Sequence, residues 1–266
     1  MYRPLRFVNG LQANGVDPVV VSFAVDENLK KVINKFDYGL ENELRKDVTV
    51  YRVPLEDMTK FYETKWKRFK NIYFNVTDNY LKAWRKNFYE QLPAILQKHK
   101  PDAVMVTCPP FSAAVLSYEI SKKYSLPLIL DMRDAWAKLS IGNLGSRLHY
   151  WYKKNLEKKV FKQAAAIITV TPQLKDIFVQ THPEIAAEKF KLIPNSFEGE
   201  LREDLDVCYK GIRQTGACHF GYVGAYYYSP AARDIMMKAW WKRSGHRMLQ
   251  YAPVKEDWLY RSPYFF

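Results

Sequence analysis

The sequence lacks several features that would place it quickly in a class of proteins. Its 266 residues include only three cysteines, Cys108, Cys208 and Cys218, which lie far apart and form no C-x-x-C pair. We therefore expect reduced thiols in a cytosolic protein. No apolar run approaches the ~18 residues that a membrane-spanning helix needs, and the first residues lack the apolar segment of a secretory signal.

Signatures of metal sites and of common enzymes are missing as well. The five histidines have no metal-ligand spacing and no Cys/His cluster is present, so we expect no zinc site. Neither a Walker A motif nor a G-x-S-x-G motif occurs. The 48% content of hydrophobic residues excludes a disordered chain, and the length suits two domains or one large one.

Positive charge is what the sequence has in excess. The net charge is +13, of which residues 60–100 carry +7 and residues 147–163 carry +5. A strongly basic protein indicates an anionic partner, which is nucleic acid, an anionic membrane surface or a phosphorylated substrate. The alternative is that each basic segment is a solvated helix face.

The first basic segment contains an aromatic stripe. Tyr62, Trp66, Phe69 and Tyr73 recur at spacings of four, three and four residues, which places them on one side of a helix. Lysines and an arginine surround this stripe, as is typical of a helix lying in a membrane interface. The alternative is that the stripe packs into the core. The candidate membrane-facing residues are Lys65, Trp66, Lys67, Arg68, Phe69 and Lys70.

Short apolar runs alternate with longer amphipathic ones along the chain. The predicted strands cover residues 18–23, 48–53, 103–107, 126–130, 166–170 and 191–193. The predicted helices cover residues 3–13, 79–98, 111–124, 147–163 and 172–181. This alternation predicts parallel βαβ units and a doubly wound α/β sheet, in which ligands bind at the carboxyl ends of the strands.

Both ends of the chain read as incomplete. The chain opens on a helical pattern with no preceding strand, whereas a doubly wound domain begins with a strand. It stops on large apolar residues, and only one strand is evident after Gly216. We therefore expect a fragment of a longer protein.

The loops after the predicted strands match a known family. The most specific match is the run of residues 130–136, LDMRDAW, and residues 101–112, 164–171 and 193–197 match further strands and turns. On these residues the chain resembles the N-terminal domain of bacterial family-4-like glycosyltransferases, which have the GT-B fold with its Rossmann-like sheet. The resemblance implies an acceptor-side domain at 1–198, a linker at 199–217 and the truncated start of a donor-side domain at 218–266.

The resemblance also implies an activity. Enzymes of this family transfer a sugar from a nucleotide-sugar donor with retention of configuration. We expect a lipid-linked or polysaccharide acceptor in bacterial surface-glycan synthesis, and a cytoplasmic protein peripheral at the inner face of the membrane. No metal or other cofactor and no nucleic acid is implied. Backbone amides, a helix N-terminus and basic side chains stabilise the leaving diphosphate.

Three departures from the family pattern bear on activity. The first strand with its glycine-rich turn is missing, Ser196 stands where glycine is common, and the chain stops before the residues that bind the donor. We therefore expect the fragment to be inactive by itself. The alternatives are a non-catalytic remnant that binds an acceptor, and a basic protein that binds nucleic acid or an anionic surface.

The loops at the carboxyl ends of the strands supply the candidate site residues. Asp131, Arg133 and Asp134 are the catalytic candidates. An arginine stays protonated, so Arg133 binds phosphate or the acceptor rather than acting as a base, while either aspartate orients a sugar hydroxyl. The candidate substrate-binding residues are Trp136, Pro110, Phe111, Ser112, Asn195 and Ser196.

Structural alternatives exist for several of these residues. Asp134 pairs with Arg133 or caps the next helix, and Ser112 is an ordinary N-cap. Asn195 and Ser196 form a plain turn. The resemblance further assigns Gly221, Gly224 and Tyr226 to a turn that approaches the donor.

Overall fold

A computed structural model of the chain describes residues 2–30, 39–138, 144–196, 237–243 and 248–253. The predicted linker at 199–217 and most of the predicted second domain at 218–266 lie outside these residues. The division into domains therefore stays a prediction.

Helices and strands alternate along the described residues up to position 192. The strands are β1 Val19–Phe23, β2 Thr49–Val53, β3 Val104–Cys108, β4 Leu128–Met132, β5 Ala166–Thr169 and β6 Phe190–Leu192. The helices are α1 Tyr2–Ala13, α2 Glu27–Lys30, α3 Gly39–Asn42, α4 Lys65–Phe74, α5 Tyr80–His99, α6 Phe111–Tyr124, α7 Arg147–Gln163 and α8 Pro172–Thr181. Short 3₁₀ helices cover Met58–Phe61, Ala187–Lys189 and Trp240–Lys242.

The strands form two parallel sheets. One has four strands in the order β3-β4-β5-β6, and the other pairs β1 with β2. No strand within the described ranges joins the two by hydrogen bonds. Parallel strands linked by helices confirm the predicted α/β, Rossmann-like class, although the sheet is divided rather than continuous.

The end of β4 corrects one prediction. The sequence placed the strand at 126–130 and began the loop at Asp131, whereas the strand runs from Leu128 to Met132. Asp131 pairs with Thr107 of β3 and with Ile168 of β5, and Met132 pairs with Cys108 and Thr169. A charged residue was read as the start of a loop because the pattern cannot reveal its buried ion-pair partner.

Three helices begin and end where the sequence places them, namely α6, α7 and α8. The Ser146 hydroxyl accepts a hydrogen bond from His149 N at the start of α7, and the Thr171 hydroxyl accepts one from Leu174 N at the start of α8. These caps satisfy backbone donors that the helix itself cannot, and Pro172 occupies the first helical position.

Two hydrophobic clusters hold the sheets and helices together. The larger lies between the four-stranded sheet and α6, α7 and α8, with Leu130 and Phe161 fully buried in it. The second packs α5 on β1 and β2 and contains Trp84 and Val53. Val104 of β3 packs against both clusters, so hydrophobic contacts connect what hydrogen bonds do not.

A buried polar pair fixes the segment that follows β4. His182 Nε2 lies 2.7 Å from Glu157 Oε2, and both side chains are fully buried. The other carboxylate oxygen of Glu157 accepts a hydrogen bond from Ala137 N at 3.1 Å. This contact ties residues just beyond the strand to α7 and α8, and thereby positions the loop that carries Arg133 and Asp134.

Candidate functional site at the carboxyl edge of the sheet

The loops after β3, β4 and β6 meet at one edge because the strands are parallel. These strands end at Cys108, Met132 and Leu192. Asp131 is the last but one residue of β4, and the other predicted residues between positions 109 and 136, together with Asn195 and Ser196, follow these strand ends. In open α/β sheets this edge is where ligands bind.

A bidentate ion pair between Arg3 and Asp131 lies at the centre of this edge. Arg3 Nη2 is 2.8 Å and Arg3 Nε 3.0 Å from Asp131 Oδ1, and the Asp131 side chain is fully buried. Thr107 donates its hydroxyl to Asp131 Oδ2 at 2.8 Å. Two-nitrogen arginine–carboxylate pairs fix geometry as well as charge. The carboxylate of Asp131 is therefore held in place by neighbouring side chains.

The same arginine also binds the segment after β6. Arg3 Nη2 donates to the carbonyl oxygen of Ile193 at 2.9 Å, and Nη1 donates to that of Pro194 at 3.1 Å and to Asn195 Oδ1 at 3.3 Å. One helical turn later, Arg6 donates to the backbone oxygen of Ser196. The amino end of α1 thus fastens residues 193–196 beside Asp131, and Asn195 and Ser196 remain exposed.

Arg133 binds the turn after β3. Its Nε donates to the Cys108 carbonyl oxygen at 3.2 Å, and its Nη2 donates to that of Pro109 at 2.6 Å. Both peptide bonds from Cys108 to Pro110 are cis. The guanidinium therefore holds the shape of the turn that contains Pro110.

The thiol of Cys108 is not a candidate nucleophile. Burial and, to a lesser extent, the nearby Asp131 carboxylate raise its pKa far above the usual range. Because the thiolate is the reactive form, this cysteine is inert at neutral pH.

Asp134 is the catalytic candidate with an exposed carboxylate. It lies two residues beyond the end of β4, and no group among the described residues makes a hydrogen bond or an ion pair with it. Its carboxylate is free to accept hydrogen bonds from a ligand, in contrast to that of Asp131.

Phe111 and Trp136 pack behind the edge rather than on it. Their rings stack with centroids 5.3 Å apart and an angle of 2° between planes. Trp136 is fully buried and Phe111 nearly so. The structure gives both rings a packing role in the larger core and does not bring them to the surface of the edge.

Ser112 lies at the start of α6, where an aspartate from a distant loop provides the cap. Ser112 N donates to Asp78 Oδ2 at 3.0 Å, and Tyr80 N donates to the other oxygen of Asp78. The Ser112 hydroxyl is buried and has no hydrogen-bond partner among the described residues. Sequence reasoning missed Asp78.

A cavity of about 560 Å³ borders this cap. Aromatic rings, amides, hydroxyls and the Asp78 carboxylate line it, which is a set of groups suited to a polar organic ligand with apolar faces. The lining residues are Met58, Thr59, Tyr62, Asn75, Thr77, Asp78, Asn79 and Tyr80. The only trace of this cavity in the sequence is a cluster of asparagine and aspartate at 75–79.

Two residues of α7 lie close to this cavity. His149 accepts a hydrogen bond from Gly145 N at Nδ1, so its Nε2 carries the proton and donates to the Asn75 carbonyl oxygen at 2.6 Å. Burial lowers the pKa of Lys153, while the charges of Glu157 and Asp78 act in the opposite direction. The first half of α7 therefore faces the loop at 75–79.

The predicted membrane-facing residues of α4 lie on the surface. All six are exposed, with Trp66 61% and Phe69 41% accessible. The two rings stack with centroids 5.4 Å apart, and Lys70 Nζ lies 5.3 Å from the Trp66 ring. The aromatic stripe is therefore not buried in the core, although Tyr62 precedes the helix and Tyr73 is half-buried.

Other predictions lie beyond what the structure describes. Gly221, Gly224 and Tyr226 are outside the described residues. Over those that are described, no three His, Cys, Asp or Glu side chains are grouped to hold a metal ion, and no helix is long and apolar enough to cross a membrane.

Arg3 and Arg6 are further site residues that sequence reasoning missed. They are one turn apart at the beginning of α1, with no acidic residue in that turn. The sequence did contain one signal for such a partner, namely an acidic residue, Asp131, directly after an apolar run. A carboxylate that is buried at such a position needs a cationic partner. Nothing in the sequence pointed to the amino end of α1 as the source of that partner, since 128 positions separate the pair.

The chain was compared with known proteins. A family model described as a glycosyl transferase 4-like domain matches residues 3–196. No curated protein matches the chain. The matched region begins at Arg3 and ends at Ser196, and therefore contains all of the edge described above.

Proposed function

The chain belongs to the glycosyltransferase 4-like family, and we propose that its described domain is the acceptor side of an enzyme that transfers a sugar from a nucleotide sugar to a lipid-linked or polysaccharide acceptor. The proposal rests on one observation: the residues that match the family model, 3–196, include every residue of the carboxyl edge described above. We propose that transfer retains configuration and belongs to bacterial surface-glycan synthesis.

The residues of the edge have separate tasks in this proposal. Asp134 has an exposed carboxylate and accepts a hydrogen bond from an acceptor hydroxyl. Asp131 is occupied by Arg3 and Thr107, so it acts as a positioning residue. Arg133 holds the turn at Cys108 and Pro109 through their carbonyl oxygens, which keeps the walls of the acceptor site in place.

The leaving nucleoside diphosphate gains negative charge as the bond between the anomeric carbon of the donor sugar and the diphosphate oxygen breaks. We propose that cationic side chains and backbone amides stabilise this charge without a metal. The donor-side turn at Gly221, Gly224 and Tyr226 belongs to this part of the site. We propose that the 266-residue polypeptide by itself binds acceptor without turnover.

An anionic membrane surface is the proposed location of the reaction. The exposed stripe of Trp66 and Phe69, flanked by Lys65 and Lys70, supports contact with the lipid interface. We propose a cytoplasmic protein that is peripheral at the inner membrane face.

The test is acceptor binding by vesicle flotation. Vesicles are prepared from a bacterial lipid extract, either intact or after mild acid hydrolysis that releases diphosphate-linked saccharides. We expect tighter binding to intact vesicles, unchanged by EDTA, and no labelled sugar incorporated from a panel of nucleotide sugars. Equal binding to the two preparations would overturn the proposed lipid-linked acceptor.

A further inference from the structure

The first turns of α7 carry a second exposed apolar face. Leu148, Trp151 and Tyr152 are 58%, 55% and 52% accessible, and the two aromatic rings contact each other with centroids 5.0 Å apart. Their spacing of three and four residues is that of a face normally turned toward a core. Here the buried residues of the same helix are His149, Glu157, Val160 and Phe161.

A hydrogen bond joins the first turn of α7 to the end of α4. His149 Nε2 donates to the carbonyl oxygen of Asn75 at 2.6 Å, and Asn75 is the C-cap residue of α4. The preceding residue, Phe74, is 64% accessible. The exposed aromatic residues of α4 and those of α7 therefore belong to neighbouring elements that a direct hydrogen bond holds together.

The charge of α7 matches that of α4. Six Lys or Arg residues and one acid lie between Arg147 and Gln163, and that acid, Glu157, is buried against His182. Its charge is not presented at the helix surface. Both helices thus combine exposed aromatic residues with an excess of cations.

We infer that α4 and the first turns of α7 form one bipartite surface that docks on an anionic bilayer. Tryptophan and tyrosine favour the interface between headgroups and acyl chains, and flanking lysines add attraction to anionic lipids. A nucleic acid would use the cations but gain little from the aliphatic side chain of Leu148. The inference rests on the proposed function, since it extends the membrane contact of α4 to a second helix.

The position of the cavity gives this surface a role. Asn75 lines the cavity and is also the residue that joins the two helices. A bilayer in contact with both helices lies beside the cavity and Asp78, and a headgroup of a lipid-linked acceptor has a short path to them.

The test measures the binding of two triple variants to vesicles with and without phosphatidylglycerol. Leu148→Ser, Trp151→Ser and Tyr152→Ser together remove the α7 face. The matched control, Met237→Ser with Trp240→Ser and Trp241→Ser, removes three other exposed apolar side chains. We expect the α7 variant to lose binding on the order of tenfold, because each side chain buries apolar area in the interface, and the control to bind as the native chain does.

A second measurement does not depend on the folding of the triple variant. Brominated lipids quench tryptophans that enter the acyl region, so Trp151→Phe and Trp66→Phe should each reduce the quenched amplitude of the native chain. Unchanged quenching in Trp151→Phe, together with native binding of the α7 variant, would overturn the inference. A loss of binding on changing α4 alone would then leave the proposed membrane contact of α4 standing. Native binding after changes to either helix would overturn both membrane contacts, while the proposed sugar transfer is decided separately by the comparison of intact and hydrolysed lipid extract.

Discussion

The guanidinium of Arg3 and the buried carboxylate of Asp131 form a two-nitrogen ion pair, with 128 positions between them in the sequence. The pair joins the amino end of α1 to the carboxyl end of β4, and Arg3 also donates to the carbonyl oxygens of Ile193 and Pro194. Three separate segments of the carboxyl edge therefore depend on one side chain.

Replacing either partner should strongly destabilise the fold. Arg3→Met or Asp131→Asn leaves a buried charge without its partner, and we expect each to lower the free energy of unfolding by about 3–5 kcal/mol. The double variant should lose less than the sum of the two. Urea unfolding of all four proteins measures this coupling, and additive losses would contradict a direct interaction.

The two tryptophans that the sequence singled out should behave in opposite ways. Trp136 is fully buried and stacked on Phe111, so Trp136→Ala should lower the free energy of unfolding by about 3–5 kcal/mol. Trp66 is mostly exposed, so Trp66→Ala should change it by no more than about 0.5 kcal/mol. Comparable losses in the two variants would contradict the assignment of one to the core and the other to the surface.

Lys153 should make stability depend on pH in the alkaline range. Burial lowers its pKa in the folded protein below the ordinary lysine value of 10.5. In the interval between the two values the unfolded chain binds more protons, so this group adds stability as the pH rises. Relative to Lys153→Met, the native chain should therefore gain stability as the pH approaches 10.5, because titration of other groups cancels in the comparison. If the difference in urea midpoint between the native chain and Lys153→Met did not change with pH, the prediction would be contradicted.

The cations of α4 should determine vesicle binding. Changing Lys65, Lys67, Arg68 and Lys70 together to glutamine removes four positive charges, each contributing about 1 kcal/mol near an anionic surface, so binding at low salt should fall by about three orders of magnitude. A control with the same change of net charge replaces Lys98, Lys100, Lys122 and Lys123, which lie at the last turns or C-cap of α5 and α6. Vesicle flotation across a salt series compares the α4 variant with this control. Equal losses of binding in both would show that net charge, and not α4 itself, determines vesicle binding.

The sequence predicted the local structure well wherever periodicity was strong. The bounds of α6, α7 and α8 and the parallel class of the sheet followed from apolar spacing and from caps such as Thr171. What it missed depends on contacts between distant segments. Asp131 was read as a loop residue because its partner is remote, and Trp136 was read as a site residue because a motif does not reveal burial. Asp78 and the cavity arise from a loop that packs on the start of α6.

The claim that the carboxyl edge binds the acceptor is tested most directly by hydrogen–deuterium exchange on vesicles. The chain is compared on intact and on acid-hydrolysed bacterial lipid extract, with Asp134→Asn as the variant that removes the exposed carboxylate. We predict slower exchange at residues 111–112, 133–135 and 195–196 on intact lipid alone, and loss of that protection in the variant. The same exchange at these residues on both lipids would contradict the account.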